Sequence, residues 1–504
     1  GVLSGQGGTD LFIAVYHAEG AFLRSATLGG QGEDRGLGIE SDPATGGVFA
    51  CGYFAGEATL RAGLFQDTLK SHGDRDMALL ALDKNLQGLW AHPVGGASQD
   101  AAVRVMLDAE GRPVFIGSFK FLADFDPGPG TQNLGNTAGF GDDDGFILKL
   151  DAAGALVWAS HFGAARAQES DQLRDTGIDA NENLYLLGSF QGRIDADPSP
   201  ALYPLDALGS EALVLSKLDS SGAFQWARSI DGASGTLSAA LATDLNGNSI
   251  LAGGFSGNIQ IQNGAGFTPV SGVGGNPGVF FASFSSQGLL NWVKSISGNG
   301  LVSVADVELD SAGNFTVTGT INGVLDFDPG PMESTLSSPG GNNVFLARYD
   351  PLGNLLWARK FGGSASVSGV QLALDEKGNS FVSGSFSGGL EAGEGASLTF
   401  LNSNSGSFDG FYCRFDSQGN FAWIRAIGGP GVDQVFDLAV TPSNTLCITG
   451  AAFPGVDVDP GPEQAILPNA GFFDAFLAGY DLEGNYLFSQ NFGGPGIEYG
   501  QNLT

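Results

Sequence analysis

The chain has 504 residues, enough for about two to four ordinary domains or one large repeat array. Its 54 Asp and Glu against 22 Lys and Arg give a formal charge of −32, which repels nucleic acid and anionic membranes and excludes both as partners. No run of about 18 apolar residues is present to span a membrane. Glycine at 81 residues and phenylalanine at 37 point to many short strands and tight turns. The three cysteines, Cys51, Cys413 and Cys447, show no CxxC spacing and are odd in number. They therefore read as buried free thiols rather than a disulfide framework or a zinc knuckle. The chain begins at Gly1 with no basic-then-apolar leader, and it reads as processed or as a piece of a longer protein.

In chain order, one hairpin pattern begins at Asp10 and returns at Asp76, Asp144, Glu211, Gly278, Asn343, Asp409 and Asp474, at spacings of 65 to 68 residues. The clearest copy runs from Asp409 to Gly429. Phe411, Cys413 and Phe415 alternate with polar neighbours, as in a strand with two unlike faces. A tight turn follows at 416–420, and then a strand containing Trp423. The turn glycine recurs in all eight copies, at 20, 88, 154, 222, 288, 353, 419 and 484. All six tryptophans (Trp90, Trp158, Trp226, Trp292, Trp357, Trp423) fill one slot of the second strand, with Arg24 and Phe488 there in the first and last copies. A tryptophan repeated at one slot predicts packing between units rather than six binding sites.

A second hairpin lies between successive copies, clearest at 304–320 and 370–385. Its second strand carries Gly52, Gly117, Gly188, Gly253, Gly319, Gly384 and Gly450, which predicts a close backbone approach or a bend. Phenylalanine follows two places on at 54, 119, 190, 255 and 386. No helical periodicity is evident. Each unit is then four antiparallel strands in about 67 residues, and the fold class is all-β, a β-propeller, with an open solenoid as the alternative.

The succession of a Gly-Gly-x-x-x-Asp loop, a DxxGN turn, an aromatic strand with glycine and a DxF strand returning to Gly-Gly resembles the bacterial SBBP-type β-propeller repeat of exported and surface proteins. GGPGVD at 428–433, DSAGNF at 310–315 and DGFILKLDAAGALVW at 144–158 carry the resemblance, which covers nearly the whole chain. It implies fold and export. It implies no catalytic residues, because the family shares none.

In propellers of this kind the strand after the Gly-Gly loop is innermost, which makes the DxxGN hairpin strands A and B and the tryptophan hairpin strands C and D. One domain over 1–504 then holds seven whole blades: 31–96, 97–163, 164–231, 232–297, 298–362, 363–428 and 429–493. Residues 494–504 and 10–30 are expected to close an eighth. Eight blades are expected, with seven as the alternative.

The D–A and B–C connections share one rim in this scheme, and any ligand, protein or glycan, is expected there. The B–C connections carry DxDPxP: Asp124 and Asp126, Asp195 and Asp197, Asp326 and Asp328, Asp457 and Asp459. Carboxylates at i and i+2 before a turn can converge on a hard cation, so Ca²⁺ is a candidate cofactor. The alternative is that one Asp caps the turn and Pro fixes φ, with no metal. The D–A connections carry Asp34, Asp100, Asp433 and Glu498 at one slot, with Glu169 and Asp171 near it in the third blade and Thr236, Val302 and Val367 in three others. These acids read either as local caps or as a partner-binding arc that attracts cationic groups.

Catalysis finds little support. His17, His72, His92 and His161 share no slot, and no GxSxG, HExxH or P-loop occurs. The most unusual loops are 164–175 and the one holding His72, and both read as loop variation. The first expectation is a non-catalytic, extracellular or cell-surface binding or adhesion module. A structural subunit of a surface layer, fibre or secretion assembly is second, and an enzyme acting on polysaccharide is third.

Overall fold

Short apolar runs between Asp-led turns fold as antiparallel strands throughout, and the chain is an all-β protein of the propeller class. The computed structural model describes all residues except 1–7, 18, 136–142, 165–170, 200, 233–235, 273–276, 365, 394, 469–470 and 495–496. Among the described residues the helical content is two three-residue 3₁₀ turns, Gly395–Ser397 and Asn404–Gly406. Among the same described residues no helix is long and apolar enough to cross a membrane. The chain divides into two compact units, one of residues 1–17, 21–229 and 504, the other of 18–20 and 230–503.

In the first unit a representative sheet runs in the order Arg35–Ser41, Val48–Phe54, Asp76–Leu82, Gly88–Gly96, which are strands A to D of one repeat. Its outer edge is completed by a hairpin from the following repeat, Leu122–Asp124 with Asn133–Gly135, through Ala123↔Gly96 and Asp124↔Gly95. The B–C connection therefore does not stay on a rim, as its sequence suggested. It folds back antiparallel to the preceding repeat's strand D, where it covers an edge that would otherwise be unpaired. Residues Glu57–Ala62 and Phe65–Lys70 do the same for strand Phe22–Gly30.

Six sheets hold a full A–B–C–D set among the described residues, not the eight or seven blades expected. Two causes are visible. Strand Leu290–Leu309 runs unbroken for 20 residues, as strand D of one repeat and strand A of the next, and fuses the two into a nine-stranded sheet. The sequence there reads SGNGLV at 297–302, with neither a Gly-Gly nor an acid at the slot. Secondly, the first copy supplies only strands Leu11–Tyr16 and Phe22–Gly30, extended by the donated hairpin and lacking A and B strands of its own.

Inner strands do not have the two unlike faces that alternation suggested. Val48–Phe54, Asp76–Leu82, Asp144–Leu150 and Gly278–Phe284 are buried at every position, because sheets cover them on both sides. The alternate polar residues are buried with partners. Lys149 Nζ lies 2.8 Å from Asp108 Oδ2, Lys217 Nζ 3.5 Å from Asp179 Oδ2, and Arg348 pairs with Asp310, each acid leading the A–B turn of its own repeat. Cys51 and Cys413 are buried free thiols, whose pKa burial pushes up; Cys447 is half-buried and free.

Five of the six tryptophans reach the C–D turn of the next repeat. The indole N–H donates to Ala152 O from Trp90 (3.1 Å), to Pro351 O from Trp292 (3.1 Å), to Ser417 O from Trp357 (3.1 Å) and to Leu482 O from Trp423 (3.3 Å). Trp158 makes the same bond to Ser220 O at 3.4 Å. The ring lies over the turn glycine. Phe488, in the last copy's slot, lies over Gly20 in the same way.

Candidate functional site

Two sets of carboxylates recur. The first closes the outer hairpins. In every DxDP turn the leading Asp accepts the amide of the second Asp at 3.0 to 3.1 Å: Asp124 from Asp126, Asp195 from Asp197, Asp326 from Asp328, Asp457 from Asp459. The same oxygen takes a second amide eight residues on, from Gln132, Tyr203, Ser334 and Ala465, at 2.8 to 2.9 Å. The second Asp accepts from the residue two further on, Gly128, Ser199, Gly330 or Gly461. The residue between them is buried: Phe125, Ala196, Phe327 and Val458. Tyr349 and Tyr480 donate to the carbonyls of Phe327 and Val458 at 3.0 and 2.9 Å. The motif is thus a hairpin-closing device in which one oxygen of each carboxylate is held by amides. Pro200, the last residue of one copy, lies outside the described residues.

The second set lies at the D–A slot, and most of it is buried. Asp34, Asp100 and Asp433 are at most 1 % exposed, and Asp171 is fully buried, while Glu498 is half-buried. Glu169 and the 165–170 part of its loop lie outside the described residues. Each acid is held by its own backbone. The amides of Asp34, Asp100, Asp171, Asp433 and Glu498 donate to the carbonyls of Thr9, Arg75, Asp143, Phe408 and Phe473, at 2.7 to 2.9 Å. In each case that carbonyl belongs to the residue just before the acid that opens strand C, so the two carboxylates are brought together. Burial pushes Asp34 up to about 6, with Asp10's charge adding to it and the Ala55 amide opposing. Burial likewise raises Asp100 to about 6, Asp409 to about 6 and Asp433 to about 7, and Asp76 and Asp409 add their charges to the first and last of these.

A third cluster was not singled out from the sequence. Asp108, Glu110 and Glu182 bring one carboxylate oxygen each within 4.8 Å of one another. Arg112 and Lys149 neutralise them: Arg112 Nε is 2.6 Å from Asp108 and its NH2 2.6 Å from Glu110, and Lys149 lies 2.8 Å from Asp108. With two cations inside it, the cluster is an ion-pair network rather than a metal site.

Within the second unit a groove of about 620 Å³ opens beside the DVDPGP turn. Its lining includes Asp459 and Glu463 of that turn, Leu401 and Arg425 of the preceding repeat, and Asn485 and Tyr486. It exists because the hairpin that starts at Asp457 folds back onto Gly428, the residue after strand Phe421–Ile427 of the preceding repeat. No sequence signal locates it, since its walls come from two repeats. Of the expected site residues only Asp459 lines it.

No family model matches the chain. It is 22 % identical over 494 residues to an uncharacterized WD repeat-containing protein of Acanthamoeba polyphaga mimivirus, covering 82 % of this chain and 35 % of that one. It is 29 % identical over 231 residues to the regulatory protein FlaEY of Caulobacter vibrioides, covering 44 % of this chain and 21 % of that one. The chain thus spans about a third and about a fifth of these two relatives. Among solved structures, an ulvan lyase, a polysaccharide lyase bound to its sugar, aligns over 92 % of this chain and 94 % of its own, at 11 % identity and a TM-score of 0.34.

Proposed function

We propose that the protein is a non-catalytic binding module of the cell exterior, taking a glycan or peptide ligand in the groove between Arg425, Asp459 and Tyr486. The observation that carries this reading is the groove itself. Its volume of about 620 Å³ falls in the usual range for ligand sites. It sets an aromatic ring and a leucine beside a few polar groups, the composition that holds a sugar face or an extended peptide. The net charge of −32 disfavours polyanionic ligands, and Arg425 is the single basic side chain in the lining. Calcium is not carried forward at the DxDP turns, which serve in this reading as hairpin closures.

The test is a labelled full chain on glycan and peptide arrays, followed by Tyr486→Ala and Glu463→Ala. Hits should weaken about tenfold or more, as for loss of a contact of about 1.4 kcal/mol, with melting temperature held. Ligands retained unchanged by both variants would place the site elsewhere.

A further inference from the structure

The internal repeat holds a pattern that turn capping does not explain. In five repeats the residue opening strand C and the residue at the D–A slot are both acidic: Asp10 with Asp34, Asp76 with Asp100, Asp144 with Asp171, Asp409 with Asp433 and Asp474 with Glu498. In the other three the slot holds Thr236, Val302 or Val367, opposite Glu211, Gly278 or Asn343. Both acids are present or the pair is absent. The one acid left over, Glu211, has Arg174 NH2 at 2.6 Å.

Two like charges buried side by side repel strongly, and a chain that keeps both or neither is keeping something between them. The glycine at the end of strand D makes the room. A Cβ on Gly95 would sit 2.7 Å from both Asp100 Oδ2 and Asp76 Cγ. Cβ atoms on Gly163 and Gly428 would likewise meet Asp144 and Asp409. Asp34 Oδ2, Asp76 Oδ1 and Asp433 Oδ2 are buried with no hydrogen-bond partner, whereas Asp100 accepts the Lys120 and Gly96 amides through its two oxygens. Among the described residues no Lys or Arg pairs with Asp34, Asp100 or Asp433. His72 contacts the other oxygen of Asp76, at 3.1 Å.

Capping alone does not need the charge. Asn343 opens strand C in a repeat without the pair, and its Oδ1 accepts from Gly363 N while its Nδ2 donates to Gly363 O, both at 3.2 Å. An amide therefore serves the backbone at the strand C slot of that repeat.

We propose that the five carboxylate pairs are cation sites, each holding one hard divalent cation of the calcium class between the acid that opens strand C and the acid that precedes strand A. Carboxylate oxygens suit such an ion, and water fills the remainder of its shell. The cation joins strand C to the start of the next strand A, and so ties each repeat to its successor.

The test is to strip cations from the full chain with a chelator and follow its thermal midpoint and calcium binding as Ca²⁺ is added. The midpoint should rise by about 5 °C or more. Asp433→Asn should bind one ion fewer. Without calcium it should be at least as stable as the parent, because the repulsion is gone, and with calcium less stable. Asp100→Asn should repeat this reversal, so the test does not hang on one variant folding. Asp326→Asn, at a hairpin turn, should leave the number of ions unchanged. A midpoint that does not move up to about 10 mM Ca²⁺, above the range of weak extracellular calcium modules, would overturn the proposal. So would an ion count untouched by both Asp433→Asn and Asp100→Asn, and the pairs would then be sharing protons.

Discussion

Gly319→Ala is expected to destabilise the protein by about 3 kcal/mol, at the upper end of what overpacking costs. Strand Phe315–Asp326 faces a bulge in its neighbour, where the register slips between Val304 and Asp306, opposite Gly319. A methyl group there would meet the Ser303 carbonyl oxygen far inside van der Waals contact and Phe345 Cε1 at 2.9 Å. Neither can retreat, because Ser303 is held in the sheet and Phe345 is fully buried. The same collision waits at Gly52 with Arg35 O and at Gly450 with Gln434 O. Gly266→Ala, where the nearest atom would be 3.8 Å away, is the control. Urea midpoints should separate the two clearly. A loss below about 1 kcal/mol at Gly319 would mean that the bulge does not depend on the missing side chain.

Trp357→Ala is expected to cost about 3 to 5 kcal/mol, the range for deleting a large buried aromatic side chain. Trp357 is 6 % exposed, and its ring packs against Gly419 in the turn of the next repeat. Gly419 has φ of +77°, a conformation glycine adopts freely, so its lack of a side chain serves the turn and the ring at once. Trp357→Phe keeps most of the packing and loses the bond to Ser417 O, and should cost about 1 to 2 kcal/mol. A small effect of the alanine change on the denaturation midpoint would show that the indole is peripheral to stability.

These two residues also show what kind of feature a sequence reveals. The strand B glycine and the strand D tryptophan are steric demands met within a repeat or with its neighbour, and they recur at fixed offsets, so their structural roles could be read directly. The DxDP turn was legible as a turn, with both carboxylates bonded to nearby amides. Its location was not. The hairpin it closes pairs with the strand D of the preceding repeat, and nothing local in LAD at 122–124 names that partner. The blade number failed because the chain runs unbroken along Leu290–Leu309 while the repeat spacing stays regular across it.

The acids at the D–A slot are visible in the sequence as a pattern, which fits either local caps or a partner-binding rim. Asp34 and Asp433 are buried where the backbone bond to the residue before strand C holds them, a contact between positions 25 residues apart. The groove was out of reach for the same reason as the hairpin that forms it. In this fold the residues that repeat support the scaffold. The groove is lined both by repeating residues, Asp459 and Gly484, and by residues without a counterpart at every slot, such as Arg425.

The proposed role is binding without chemistry. Its most direct test is to incubate the full chain with the glycans it retains on an array and count new reducing ends over a long exposure. Retention with sugar chain lengths unchanged is the predicted result. Cleavage in proportion to protein, abolished by substituting a carboxylate that lines the groove, would contradict it.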